Sequence, residues 1–151
     1  MIRLCRPQQL LWFSLLAVLL STGCESEKMQ ETHFSIQQNR FIQSLELVES
    51  AGVTLQNPEL TRQDIDRAML KMDRGLEQAY QVETDFLQKL DVRLPRLYSE
   101  IFIKGVEQYR IGVESSDREQ QLQGLNLLSQ WGKFWYEQKP AIQNKLVELN
   151  G

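Results

Sequence analysis

Histidine and cysteine are almost absent from this chain: His33 is the only histidine, and Cys5 and Cys24 are the only cysteines. Cys5 lies in an amino-terminal segment with the marks of a cleaved signal, so the mature chain keeps one cysteine and can form no internal disulfide. That leaves no zinc site of His and Cys and no triad signature. A Cys-x-x-Cys-His haem attachment and a glycine-rich phosphate loop are also missing. Basic residues are in deficit as well. Of 17 Lys and Arg, Arg3 and Arg6 fall in the signal, whereas all 20 acidic residues fall after it, so the mature body carries a net charge of −5. Without a cluster of Lys and Arg, it has no electrostatic footprint for nucleic acid.

What is present begins with the signal itself. Arg3 and Arg6 form a positive n-region, and Leu10 to Leu20 is an eleven-residue apolar run, long enough for a signal and too short for a membrane-spanning helix of about 20 residues. The run ends in Leu20-Ser21-Thr22-Gly23-Cys24, which resembles the lipobox of bacterial lipoproteins, although Ser21 stands where that family usually has Leu, Val or Ile. The resemblance covers the first 24 residues. It implies that residues 1–23 are a lipoprotein signal peptide, that Cys24 receives diacylglycerol, and that the mature chain starts there with two or three acyl chains, enough for stable anchoring. Glu25 and Ser26 follow the cysteine in place of the Asp that retains such proteins in the inner membrane. The resemblance therefore points to the outer membrane, facing the periplasm. The alternative is an ordinary secretory signal cut near Gly23, leaving a free thiol.

The mature 128 residues suit a single domain able to bury about two-thirds of its unfolded surface. Residues 24–32 read as a polar tether reaching at most roughly 25 Å if about seven of them are unstructured, and 33–151 as a helical domain. Helix 1 is predicted from Gln30 to Ala51, with Phe34, Phe41, Leu45 and Val48 on one face and Gly52 as its stop. Thr61 and Asp64 form a capping-box pattern opening a second helix, predicted to run to Leu90 through Ile65, Met69, Met72, Leu76, Ala79, Phe86 and Leu90. Only Glu83 interrupts that series. Leu94-Pro95 predicts a break, with helix 3 from Pro95 to Glu114. Ser116 and Glu119 form a second capping box opening helix 4, which continues to Gln138. Its apolar half is broad: Leu125, Leu127, Leu128, Trp131, Phe134 and Trp135. Pro140 starts or kinks a terminal segment with Ile142, Leu146 and Leu149. The fold class is all-α, an up-down four-helix bundle with or without a short additional C-terminal helix.

Few residues stand out as functional. The carboxylates of helix 2 (Asp64, Asp66, Asp73, Glu77, Glu83 and Asp85) read as a solvated face, because bundle metal sites pair Glu with His and His33 is the only histidine. His33 reads as an exposed polar residue, and Glu83 as a bundle edge or a buried polar contact. Trp131 and Trp135 share a face with Gly124 and Leu128, which favours the core, while Tyr136 points away; partner or ligand contact is the competing role for all three. Antiparallel pairing of helices 3 and 4 sets Gly105 level with Leu128, so that Gly105 and Gly112 make room for bulky neighbours.

No cofactor, metal or catalytic residue is indicated. The expectation is a non-enzymatic lipoprotein held to the membrane by its anchor, a helical interaction or assembly module with an envelope protein partner. The alternatives are a pilotin-like secretion chaperone, by analogy alone, and a binder of lipid or another apolar small molecule between the helices near Trp131 and Trp135. Replacing Cys24 with Ala is expected to release the mature chain from the membrane fraction. Intact-mass measurement of the native protein checks this directly, since an unmodified thiol would overturn the anchor.

Overall fold

The polar stretch 25–32 has no glycine or proline and is rich in Glu, Lys, Met and Gln, which lose little freedom in a helix. In the computed structural model, which describes residues 22–150 and side chains over 33–149, this stretch is helical. Helix α1 covers Thr22–Leu55, so it starts well before the predicted Gln30 and takes in the segment read as an unstructured tether. Residues 1–21 of the signal segment lie outside the described residues, as do the side chains of Cys24, Glu25 and Ser26. α1 also passes its predicted stop at Gly52, because glycine costs only about 1 kcal/mol inside a helix. It ends before Asn57-Pro58, where the residue preceding proline is driven out of the α region. Ser35–Gly151 forms one compact unit, and the contacts below lie within it.

Helix α2 (Arg62–Tyr80) opens on the predicted capping box. Thr61 Oγ1 accepts from the Asp64 N–H at 3.2 Å, and the Asp64 carboxylate accepts from the Thr61 N–H at 3.1 Å. The Thr61 hydroxyl in turn donates to the Asp64 carboxylate at 2.5 Å, and this bond, with that from the Thr61 N–H, holds the Asp64 pKa below the usual carboxylate range. The helix then stops ten residues short of Leu90. Residues 81–83 are non-helical and α3 (Thr84–Leu90) starts afresh. No local breaker marks this gap, and the apolar period carries across it from Ala79 to Phe86. A residue of α1 stabilises it: Gln37, 1% exposed, accepts from the Glu83 N–H at 2.8 Å and donates to the Glu83 carboxylate at 3.1 Å. Glu83 is thus the head of a new helix, bound to a buried amide.

The predicted break at Pro95 is present. Asp91 accepts from the Arg93 N–H at 2.8 Å and from its guanidinium, closing a turn, and α4 (Leu94–Leu97) places Pro95 in its first turn. The chain continues without interruption through a π-helical segment, Tyr98–Ile103, into α5 (Lys104–Glu114). The π segment has a register cause. Leu94, Tyr98, Phe102 and Val106 are all at most 2% exposed and follow at intervals of four. In a regular α-helix each such step turns about 40° off the face, so Val106 would sit about 120° away from Leu94. Wider turns with i→i+5 bonds remove that drift.

α5 closes with Ser116 at φ 57°. The Asp117 N–H reaches the Gly112 carbonyl at 2.8 Å and the Ser116 N–H reaches Val113 at 3.3 Å, the paired bonds of a left-handed C-cap. Ser116 therefore serves the end of α5 and cannot be the predicted cap of the next helix. Asp117 takes that place, accepting from the Gln120 N–H at 3.1 Å. α6 (Arg118–Asn150) is one helix with Pro140 inside it, so no separate C-terminal helix forms. Pro140 removes a donor from the Tyr136 carbonyl, but both residues lie on the exposed side, where water can take that carbonyl. Beyond it Ile142 and Leu146 are buried.

The described residues thus make an all-α protein of five helical rods, counting α4 to α5 as one, where four were predicted. Pairing is antiparallel for α1 with α2, where Gly75 meets Val48 and Ser44 while Lys71 reaches Ser50. It is antiparallel again for α5 with α6. Gly105 faces Leu127 and Leu128, as its predicted register required, Tyr109 faces Gly124, and Gly112 faces Gln121. A Cβ on Gly105 would stand 3.0 Å from Leu127 Cβ, one on Gly112 2.5 Å from the Gln121 nitrogen, and one on Gly124 would fall on the Tyr109 backbone. Gly124→Ala and Gly105→Leu are expected to destabilise the protein by about 1–3 kcal/mol or more through overpacking. Gly132→Ala, which meets nothing within 4 Å, should leave stability unchanged or slightly higher. Urea denaturation of the three variants checks this; equal midpoints would refute the packing role.

Candidate functional site

Seven aromatic rings from four elements meet at the centre of the compact unit. Phe41 of α1 lies 5.5 Å from Tyr98, 6.1 Å from Phe86 and 5.8 Å from Trp135, between ring centroids. Tyr98 stacks on Phe102 at 5.1 Å, and both touch Trp131. Trp131 in turn contacts Phe134 and lies nearly parallel to Trp135 at 6.1 Å. Distances of this order suit tilted and offset ring pairs. Arg93 sits 5.4 Å above the Phe134 ring and closes the cluster at one side.

One polar pair ties this cluster to α1. Ser44, fully buried, donates to the Phe41 carbonyl at 2.6 Å, so its single proton is used and Tyr98 must donate to Ser44 Oγ, also at 2.6 Å. Burial pushes the Tyr98 hydroxyl pKa well above the ordinary phenol value, which keeps it a donor.

The cluster has an open edge. Between the last turns of α1 and the middle of α6 runs an apolar groove of about 680 Å³, floored by Met72, Phe102 and Tyr109. Leu45, Val48, Gly52 and Val53 form the α1 wall, and Leu125, Leu128, Trp131, Gly132 and Trp135 the α6 wall. The groove is open to solvent along one side, with Val53 65% and Leu125 47% exposed. A Cβ on Gly52 or Gly132 would meet no atom within 4 Å, so both walls are bare there. Among the described residues its polar lining is Glu49, Gln56 and Ser129, without Lys, Arg or His. Size and apolar character fit the usual range of ligand sites, about 300–1,000 Å³.

The three aromatic residues singled out in the sequence separate here. Trp131 is 6% exposed and belongs to the core, with one edge on the groove; Trp135 is half-buried and lines it; Tyr136, 84% exposed, is outside it. The groove also uses Leu45 and Val48, assigned to the apolar face of helix 1, Gly52, read as that helix's stop, and Gly132, left unremarked. A signal for them existed: the apolar half of α6 is broader than one neighbouring helix can cover.

Three of the carboxylates of residues 64–85 are engaged in structure, while Asp66, Glu77 and Asp85 lie exposed, as the reading of a solvated face had them. Asp64 caps α2, Glu83 binds Gln37, and Asp73 lies 3.3 Å from Arg110 Nε, an ion pair whose angle falls short of a hydrogen bond. Arg110 also reaches Glu114 at 2.6 Å. Tyr80 donates to Glu107, and burial, with help from that carboxylate, pushes its pKa up to about 12. Among the described residues no three His, Cys, Asp or Glu side chains gather as a metal-holding group. No helix among them is long and apolar enough to cross a membrane.

Ser44→Ala is expected to cost about 1–3 kcal/mol, because it strands the buried Tyr98 hydroxyl. Tyr98→Phe should cost only about 1 kcal/mol, since Ser44 keeps its bond to Phe41. In the double variant the two losses should sum to less than their separate values. Urea unfolding of the four proteins gives the coupling, and strict additivity would show that the pair does not hold the cluster.

The chain matches no family model, no curated protein and no solved structure.

Proposed function

We propose that this chain is a non-enzymatic, lipid-anchored module of the bacterial envelope, held through Cys24 to the outer membrane on its periplasmic side, that seats an apolar partner in the groove between α1 and α6. The groove carries this reading. Exposed apolar surface is unfavourable, at roughly 25 cal/mol per Å², and contiguous patches of it mark interaction or ligand sites. Here it is concave, lined by Trp135 and Leu125, and backed by the aromatic core. The lipobox-like Leu20–Cys24 supports the location, and the structural roles of Asp64, Asp73 and Glu83 favour binding over chemistry. A pilotin-like escort of a secretion component is one form of this activity. The groove volume also favours the second reading, an apolar small molecule as ligand.

A photocrosslinking residue at Leu125, in the anchored chain in intact cells, is expected to give an adduct that disappears when Gly132→Leu fills the groove. The same residue at Val92, 79% exposed and not part of the groove, should give none. Identical adducts from both positions, or an adduct indifferent to Gly132→Leu, would remove the groove from the function.

A further inference from the structure

We infer that the occupant of this groove is an amphipathic helix of a partner protein carrying a basic residue that meets Glu49. The inference rests on the binding role proposed above and specifies its ligand. Three observations on the groove bear on it. The first is shape. The α1 wall runs from Leu45 to Gln56 and the α6 wall from Leu125 to Trp135, about 15–17 Å each at 1.5 Å per residue, or three helical turns. A trough of that length, walled by helices and open along its side, matches a helix laid in a groove with anchors at i, i+3, i+4 and i+7.

The second is the pair Gly52 and Gly132. They stand on opposite walls, and neither has an atom within 4 Å of where its Cβ would be. Without side chains there, a helix can approach to the 8–10 Å between axes at which helices pack. The third is charge. Among the described residues Glu49 is the single charged group in the lining, and no cation lines the groove with it. A fatty-acid carboxylate or a lipid phosphate in the groove would meet a like charge with nothing to neutralise it. A Lys or Arg on the polar flank of an incoming helix would be paired.

The test uses the full mature chain with Cys24→Ala, which removes the acyl groups at a position outside the compact unit Ser35–Gly151. Its only tryptophans are Trp131 and Trp135, since Trp12 leaves with the signal, so tryptophan emission reports on the groove. The probes are a roughly four-turn peptide with leucines at i, i+3, i+4 and i+7 and one flanking lysine, the same peptide with glutamate for lysine, and the uncharged alcohol dodecanol. The lysine peptide is expected to shift the emission saturably, and Gly132→Leu to weaken that binding at least tenfold without lowering the melting temperature. Should Gly132→Leu fail to fold, Gly52→Leu on the opposite wall serves instead. The glutamate peptide should bind about fivefold more weakly, as about 1 kcal/mol for an exposed pair implies, and Glu49→Lys should invert the preference. Peptide binding indifferent to the exchange of charge overturns the pairing with Glu49. A dodecanol shift with no peptide shift overturns the helical occupant and leaves the groove as a small-molecule site. No shift with any probe overturns both the inference and the function it rests on.

Discussion

A run of buried residues at intervals of four, Leu94, Tyr98, Phe102 and Val106, cannot stay on one face of a regular α-helix, and the core of this protein depends on all four staying there. The wide turns over Tyr98–Ile103 solve that conflict. They aim Tyr98 and Phe102 together at α6, where both rings meet Trp131. Tyr98 also points its hydroxyl back at Ser44 of α1. A regular helix would keep neighbours of the series together but carry Leu94 and Val106 about 120° apart, so the four could not all face the core.

The aromatic cluster explains why one seam of the protein is tight and another open. Between α5 and α6 the contact is set by Gly105, Gly112 and Gly124, whose missing side chains bring the two backbones within van der Waals reach. Between α1 and α6 the bulk of Phe41 against Trp135 holds the helices apart at one end. No large side chain does the same work from Gly52 and Gly132 onward, so the space that a layer of core residues would fill stays as a groove. Interiors pack near crystal density, and a void of this size along one seam is a departure that the rest of the fold does not require.

The helical class, the turn at Pro95, the end of α5 and the level of Gly105 with Leu128 were all legible in the sequence, because each follows from local chemistry or from the period of one helix. The interruption at residues 81–83 was not. Ala79 and Phe86 are two turns apart whether or not the helix between them is continuous, and the bond that stabilises the gap comes from Gln37, far away in sequence. Glu83 as the lone polar residue in the apolar series was the one trace of it. The shift of the α6 cap from Ser116 to Asp117 was hidden for a similar reason: a serine can cap the helix ahead or close the one behind, and Ser116 took the left-handed conformation that the second task needs. The groove was half visible. The broad apolar face of α6 announced surface to be covered, but whether α1 covers it depends on how far apart two remote helices stand.

The glycines carry this argument one step further. Six lie within helices of the compact unit, and they divide by what surrounds them. Gly75, Gly105, Gly112 and Gly124 each face an atom close enough that a methyl group would force movement, so packing accounts for them. Gly52 and Gly132 face open space, where alanine or leucine would improve helix propensity by up to about 1 kcal/mol each and cover exposed apolar surface besides. Folding stability alone would favour side chains at both positions. Both are on the groove, on opposite walls, and keeping them bare costs stability in the free protein. That cost is offset only when something else occupies the space, which makes the groove more consistent with a binding site than with a flaw in the core.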